Sequence, residues 1–411
     1  MFCITAYAAL LCWTNDGIYG ITIEKEVTIV VHLLLLIIYL AFISLGLPDG
    51  LLGAAWPAIH VEMGLNVSAM GLVSLIVSGC TVIASLFSDR LTRRFRTGRV
   101  TACSVMLTAA SLFGFAYSNN LWLLCLWAVP YGLGAGGVDA CLNNYVAIHY
   151  SGKHMSWLHC MWGIGACSGP YIMGMVMSGG FHWSNGYLLI GGFQTALVIA
   201  LLFTLRIWKG VNQEDAPTSE PLTFRQVVAL PGAKEVFLAF FCYCALEQTL
   251  GQWAGSYFYG YLNMSMDISA SLAAIYYLGI TVGRLVNGFL TIRFSDRTLV
   301  RGGMVGIGLG IVVMLLPMGL YGAVAGIVLV GLGSAPIYPC IIHSTPAIFG
   351  EERSQAVIGI EMASAYVGFC VMPPLFGLLA DFVGIWCLPL VLLGILFVMF
   401  FSHERVYLKR K

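Results

Sequence analysis

Four carboxylates stand where water is scarce. Asp49, Asp139, Glu247 and Glu361 each interrupt a long apolar stretch. Asp49 is embedded in Gly46-Leu47-Pro48-Asp49-Gly50-Leu51-Leu52-Gly53. An ionised side chain at the centre of a bilayer costs roughly 2.5–3.5 kcal/mol on insertion scales, so acids kept there are expected to bind or move something. A carboxylate whose burial changes with conformation also changes its proton affinity. Groups of this kind therefore suit ion coupling, with protons first and sodium served by the same chemistry.

The elements that must position these acids are membrane helices. Hydrophobic residues make up 59% of the 411 and charged residues only 9%, against about 25% charged in an average soluble domain. Twelve apolar segments recur, at about 28–58, 67–88, 99–118, 121–148, 155–179, 185–207, 234–262, 269–293, 302–318, 321–345, 354–379 and 383–402. Each is long enough to cross or nearly cross a hydrocarbon core about 30 Å thick. Lipid offers no partners for backbone groups, so the segments are predicted to be helices. The expected fold class is an all-α membrane protein.

Basic residues give the expected topology. Arg90, Arg93, Arg94, Arg96 and Arg99 lie between spans 2 and 3, and Arg293, Arg297 and Arg301 between spans 8 and 9. Counting all such connections and both termini, nineteen of the twenty Lys and Arg fall on one side. The positive-inside rule places that side, and both termini, in the cytoplasm. The exception is Arg284, within span 8. The expected location is the plasma membrane, a bacterial inner membrane, with the lipid bilayer as surroundings and the chain acting as a monomer.

The chain reads as two copies of a six-span unit. Tyr131-Gly-Leu-Gly-Ala-Gly-Gly-Val-Asp139-Ala-Cys141 is similar to Val330-Gly-Leu-Gly-Ser-Ala-Pro-Ile-Tyr338-Pro-Cys340, offset by 199 residues. Asp49-Gly-Leu-Leu-Gly53 is similar to Glu247-Gln-Thr-Leu-Gly251, offset by 198, and Gly165-Ala-Cys-Ser-Gly-Pro170 to Gly368-Phe-Cys-Val-Met-Pro373, offset by 203. Three matches in order at nearly one offset indicate an internal repeat. An even number of spans keeps both halves in the same orientation, which is the parallel-repeat plan. The expected units are an N-terminal segment without assigned role (1–27), a first six-helix bundle (28–207), a cytoplasmic linker (208–233), a second bundle (234–403) and a basic tail (404–411).

The loop after span 2, Ser85-Leu-Phe-Ser-Asp89-Arg90-Leu-Thr-Arg93-Arg94-Phe-Arg96, resembles the signature loop of the major facilitator superfamily. Ser85 and Thr92 stand where that family usually has glycine, and the second copy, Gly288-Phe-Leu-Thr-Ile292-Arg293, lacks the acid. The resemblance implies a gating role for Asp89, Arg90 and Arg93, and the major facilitator fold of twelve helices in two bundles. Gly-Leu-Pro-Asp49-Gly with Trp56-Pro57, and Gly134-Ala-Gly-Gly-Val-Asp139-Ala-Cys-Leu-Asn143-Asn144, resemble the fucose–proton symporter family within it. That resemblance implies essential acids at Asp49 and Asp139, the second often Glu in the family.

At about 3.6 residues per turn, Asp49, Gly53 and Trp56 share a face, as do Gly132, Gly136, Asp139 and Asn143. Asp49 falls toward the outer half of its span and is expected to be the main proton acceptor, with Asp139 its substrate-linked partner. Amides hydrogen-bond sugar hydroxyls while indoles stack on the ring, so the candidate substrate-binding residues are Trp56, Asn143, Asn144, His159, Glu247, Gln248, Gln252 and Trp253. A histidine side chain in general titrates near neutral pH, which would suit coupling at His159. Each of these is about as well explained by helix packing. Arg284 and Glu361 are expected to form a structural ion pair, because an unpaired buried Arg is costly. His149, His154 and His159 recur every five residues, about 140° apart on a helix, and make no zinc site.

No metal, cofactor or enzyme chemistry is expected: the sequence shows no ligand cluster, activated nucleophile or phosphate-cradling loop. A net charge of +1 argues against nucleic acid. The expected function is a secondary active transporter, proton-coupled and importing a monosaccharide or similar small polar solute. The alternative is a proton-coupled exporter of drugs or metabolites.

Overall fold

The computed structural model describes residues 17–65, 69–211, 222–264 and 266–408. Twelve helical spans follow one another, with no strand among the described residues. They are α1 in two pieces (Gly17–Gly46 and Leu51–Glu62), α2 (Ala69–Phe95), α3 (Thr97–Ala116), α4 (Leu121–His149), α5 (Gly152–Ser178) and α6 (Trp183–Val211). After a short helix, Phe224–Val228, come α7 (Ala233–Gly260), α8 (Met266–Leu290), α9 (Asp296–Leu315) and α10 in two pieces (Gly319–Ser334 and Ile337–Phe349). The last two are α11 (Glu351–Val383) and α12 (Leu388–Leu408). They correspond one for one to the expected spans. Residues 1–16, 212–221 and 409–411 of the expected terminal segment, linker and tail lie outside the described residues. α1 reaches back to Gly17, ahead of the expected start at 28.

Two spans expected to be continuous are broken, and one break creates the first site. Pro48 has no backbone N–H, and the chain answers with turns: Asp49 N donates to Gly46 O at 3.1 Å and Leu51 N to Pro48 O at 3.0 Å. Asp49 thus sits in a kink, not on a continuous helical face. α10 breaks likewise, at Ala335-Pro336. By contrast α4 and α11 run through Pro130 and Pro373-Pro374 without a break.

Close backbone approach then fixes α1 against α5. A Cβ on Gly165 would lie 2.2 Å from Ile43 O, and one on Gly46 would lie 2.2 Å from Trp162 O. Small residues of this kind let membrane helices pack by van der Waals contact where no hydrophobic drive exists.

The two bundles meet mainly at the end that carries the basic loops. There Arg93 Nη2 donates to Glu352 O (2.8 Å), Ser354 Oγ to Asn144 Oδ1 (2.5 Å) and Gln355 Nε2 to Ser88 Oγ (3.2 Å). Asn287 Nδ2 donates to Ser156 Oγ (2.7 Å) and Trp157 Nε1 to Leu285 O (3.3 Å). One apolar core runs through both bundles on this side, including Leu34, Val146, Leu158, Phe240 and Ile358. At the far end the first bundle keeps a separate core of its own, around Leu51, Leu112, Leu124 and Tyr187. Among the described residues, polar contacts there stay within one bundle: Glu62 accepts from Trp183 and His182, and Trp253 donates to Pro373 O. The described residues thus join the bundles by hydrogen bonds at the basic end and not at the other.

Nine spans among the described residues are long and apolar enough to cross a membrane. The others, α5, α7 and α8, are equally long but carry the polar groups that face the space between the bundles. Gly165→Val should lower the thermal unfolding temperature of the purified protein sharply, by an overpacking cost of about 1–3 kcal/mol. Gly174→Ala, whose Cβ meets nothing within 4 Å, should leave it within error. Equal stability of the two variants would refute the tight α1–α5 contact.

Candidate functional site

Six helices bring polar side chains to the level where the seal ends. Asp49, in the α1 kink, is exposed, yet Trp162 of α5 donates Nε1–H to its Oδ2 at 2.8 Å. Its charge is felt by Tyr131 of α4 and Tyr366 of α11, and Asp139 of α4 acts on it in turn. Asp49 is therefore on the wall of a cleft between the bundles, open to solvent.

Asp139 lies deeper and is only 5% exposed. Tyr366 OH donates to Oδ2 at 3.0 Å and Asn143 Nδ2 to Oδ1 at 2.8 Å. The Asn143 carbonyl oxygen faces His159 Nε2 at 3.1 Å. A carbonyl can only accept, so this contact assigns the proton to Nε2. His159 is itself buried, edge-on to Tyr338 of α10 at 4.6 Å and to Phe42 of α1 at 5.6 Å. Tyr366 joins the bundles across the bottom of the cleft, covering Asp139 while Asp49 remains open. Neither acid has a cation in salt-bridge range among the described residues.

The second bundle contributes a different arrangement. Arg284 of α8, 3% exposed, lies with Nη2 3.7 Å from Glu247 Oε1 of α7. Its guanidinium also sits 5.5 Å from the centre of the Trp162 ring, within cation–π range. This corrects the expected pairing of Arg284 with Glu361. Glu361 is fully buried and faces α10, where Thr345 Oγ1 lies 2.8 and 3.1 Å from its two oxygens and shares its one proton between them. Spacing along the chain could not tell which acid the fold puts beside α8.

Other expected site residues separate into those gathered and those not. Asp139, Asn143, His159 and Glu247 join Asp49 around the cleft. Asn144 turns away from Asn143 and binds Ser354 in the basic-end seam. Trp56, 3% exposed, is packed in the far-end core of the first bundle. Trp253 uses its N–H on Pro373 O at 3.0 Å and its ring on Phe376, holding α7 to α11. Gln248 is half-buried and Gln252 exposed, and neither is hydrogen-bonded to the acids. In the expected gating loop, Asp89 Oδ1 pairs with Arg93 Nε at 2.9 Å within α2, while Arg90 rests on the Phe87 ring. Arg93 also reaches the first turn of α11, so this group is part of the seam between bundles.

Trp162 and Tyr366 were missed. One signal pointed to Trp162: it falls three residues after His159, on the same face of α5. Tyr366 had a weaker one, lying two residues before the repeated Gly368 motif.

The fold agrees with what known proteins show. The family model of the Major Facilitator Superfamily matches residues 38–271 and 236–411, and the chain belongs to that superfamily of membrane transporters. "Bypass of stop codon protein 6" of Saccharomyces cerevisiae is 24% identical over 92% of this chain and 83% of its own. The glucose/mannose transporter GlcP of Bacillus subtilis is 24% identical over 67% of this chain and 70% of its own. Among solved structures, the E. coli fucose:proton symporter FucP matches with a TM-score of 0.74 at 13% identity, covering 91% of this chain and 98% of that one. FucP in its outward conformation matches with a TM-score of 0.73 at 14% identity, covering 90% and 98%.

Removing one member of a buried ion pair strands the other, at a cost of about 3–5 kcal/mol. Arg284→Met should therefore destabilise the protein strongly, and adding Glu247→Gln should recover most of that loss. Adding Glu361→Gln to Arg284→Met should recover none. Thermal unfolding of the three variants checks this; recovery by Glu361→Gln in place of Glu247→Gln would restore the original pairing.

Proposed function

We propose that the chain is a proton-coupled carrier that imports a small neutral polyhydroxylated solute, most simply a monosaccharide. The observation that carries this reading is the pair Asp49 and Asp139. Asp49 is open to the cleft and Asp139 lies one step deeper under Tyr366, within electrostatic reach of each other and without a cation between them. A carboxylate held by neutral donors can exchange a proton with water when exposed and carry it when covered.

The positive-inside rule makes the basic end cytoplasmic. The sealed basic end and parted far end then correspond to an outward-facing state in the plasma membrane, with both termini inside. In that state Asp49 is the group that meets external protons. Solute binding beside Asp49 would complete the site, and parting of the seam at Asn144–Ser354, Ser88–Gln355 and Arg93–Glu352 would open the cytoplasmic side. Asp89, Arg90 and Arg93 act there as gating groups.

The charges support a neutral solute. Arg284 already faces Glu247, so the second bundle offers an organic anion no free positive charge. Arg284 Nε and Glu247 Oε2 are enclosed, and the nearby hydroxyl is that of Tyr243, which neighbours both side chains. The fucose:proton symporter and glucose/mannose transporter with related folds support a sugar. An exporter would exchange its cargo against protons, so a pH gradient would empty vesicles and not fill them.

In proteoliposomes with an acidic exterior, labelled glucose, mannose or fucose should accumulate, and an equal sodium gradient should not replace the protons. Asp49→Asn should cut proton-driven accumulation at least about tenfold, the effect of ~1.4 kcal/mol on a rate. Its counterflow exchange of the same sugar should change far less, because that exchange needs no net proton movement. Full accumulation by Asp49→Asn would refute the proton role of Asp49.

A further inference from the structure

Trp162 touches two charged groups that belong to different bundles. Its N–H donates to Asp49 in the first, and its ring faces the Arg284 guanidinium in the second. The helix that carries it is clamped on both sides. A Cβ on Gly46 of α1 would lie 2.2 Å from Trp162 O, and one on Gly163 would lie 2.9 Å from Thr281 Oγ1 of α8. With the α5 backbone so enclosed, the indole ring is the part of this contact that is free to respond.

The ion pair behind the indole is incompletely made. Arg284 and Glu247 approach only to 3.7 Å, and both are almost wholly buried. Arg284 Nε and Glu247 Oε2 make no close hydrogen bond, although the Tyr243 hydroxyl of α7 neighbours both and closer approach would pair them directly. Buried charges normally close such a gap, because an unmet hydrogen bond there costs more than the bond is worth in water. Arg284 is shared between an anion and an aromatic face.

We propose that Trp162 is a positioning residue that links the charge on Asp49 in the first bundle to the engagement of Arg284 with Glu247 in the second. This rests on the reading of Asp49 as the proton acceptor. An ionised Asp49 holds the indole N–H by a charge-assisted bond, and the ring keeps Arg284 drawn toward it. Protonation of Asp49 weakens that bond and frees the indole, and Arg284 then closes on Glu247. The engagement of the second-bundle ion pair therefore changes with the charge of an acid on the opposite wall.

Other groups face both ends of this chain of contacts. Around Asp49 they are Asp139 and Tyr131 of α4 and Tyr366 of α11. Around Arg284 they are Tyr243 and Cys244 of α7, Tyr276 of α8, Tyr338 of α10, and His159 and Cys160 of α5. Each can shade the titration midpoint, but none touches both Asp49 and Arg284 as Trp162 does.

The test uses the full chain in lipid nanodiscs with 5-fluorotryptophan at every Trp position, the Trp162 resonance being assigned by its loss in Trp162→Phe. In the wild type its fluorine shift should titrate with pH, and in Asp49→Asn it should be flat. In Glu247→Gln the midpoint should move by about half a pH unit or more. Arg284→Lys provides the same comparison if Glu247→Gln fails to fold. A wild-type resonance that ignores pH, in a protein whose Asp49→Asn variant has lost proton-driven sugar accumulation, overturns the relay alone. An unmoved midpoint in both second-bundle variants does the same. Accumulation retained by Asp49→Asn overturns the proton reading and the relay with it.

Discussion

A charge held away from water must be paired, hydrogen-bonded or given a path back to water, and the centre of this molecule is organised around that requirement. The chain meets it in four ways. Arg284 and Glu247 neutralise each other across α8 and α7. Asp139 is held by Tyr366 and Asn143. Glu361 shares the one proton of the Thr345 hydroxyl between its two oxygens. Asp49 alone is left open to solvent, with one indole N–H upon it. An acid without a cation beside it, exposed or covered according to conformation, changes its proton affinity with that conformation.

α5 is the element that makes this arrangement coherent. Glycines let it press against α1 on one side and α8 on the other, so it belongs to the first bundle and borders the second. His159 and Trp162, one turn apart, reach toward the Asp139 network and toward Asp49. The seam at the basic end then fixes which side of the cleft is open. Rocking of rigid bundles about such a level exposes the same side chains first to one side and then to the other.

Much of this was legible because membrane helices announce themselves by length and apolarity. The twelve spans and the superfamily's signature loop near Asp89 are patterns along one dimension. The remainder depends on which way a side chain points once the helices pack. Asn143 and Asn144 are adjacent, yet one binds Asp139 and the other the seam. Trp56, Trp162 and Trp253 are chemically alike, but only Trp162 faces the cleft. Pro48 breaks its helix and Pro130 does not, a difference set by neighbours that a local pattern leaves out. The partner of Arg284 was likewise a choice among acids that only the packing of α7, α8 and α11 decides.

Joint passage of solute and proton through the cleft bordered by Asp49 and Asp139, as proposed, is read out by external pH in a lightly buffered suspension of proteoliposomes, inside and outside at the same pH. Adding glucose, mannose or fucose down its own concentration gradient should make the exterior alkaline as protons follow the sugar inward. The pH rise should disappear in Asp49→Asn. Sugar uptake with no change in external pH, or with acidification, would contradict the claim.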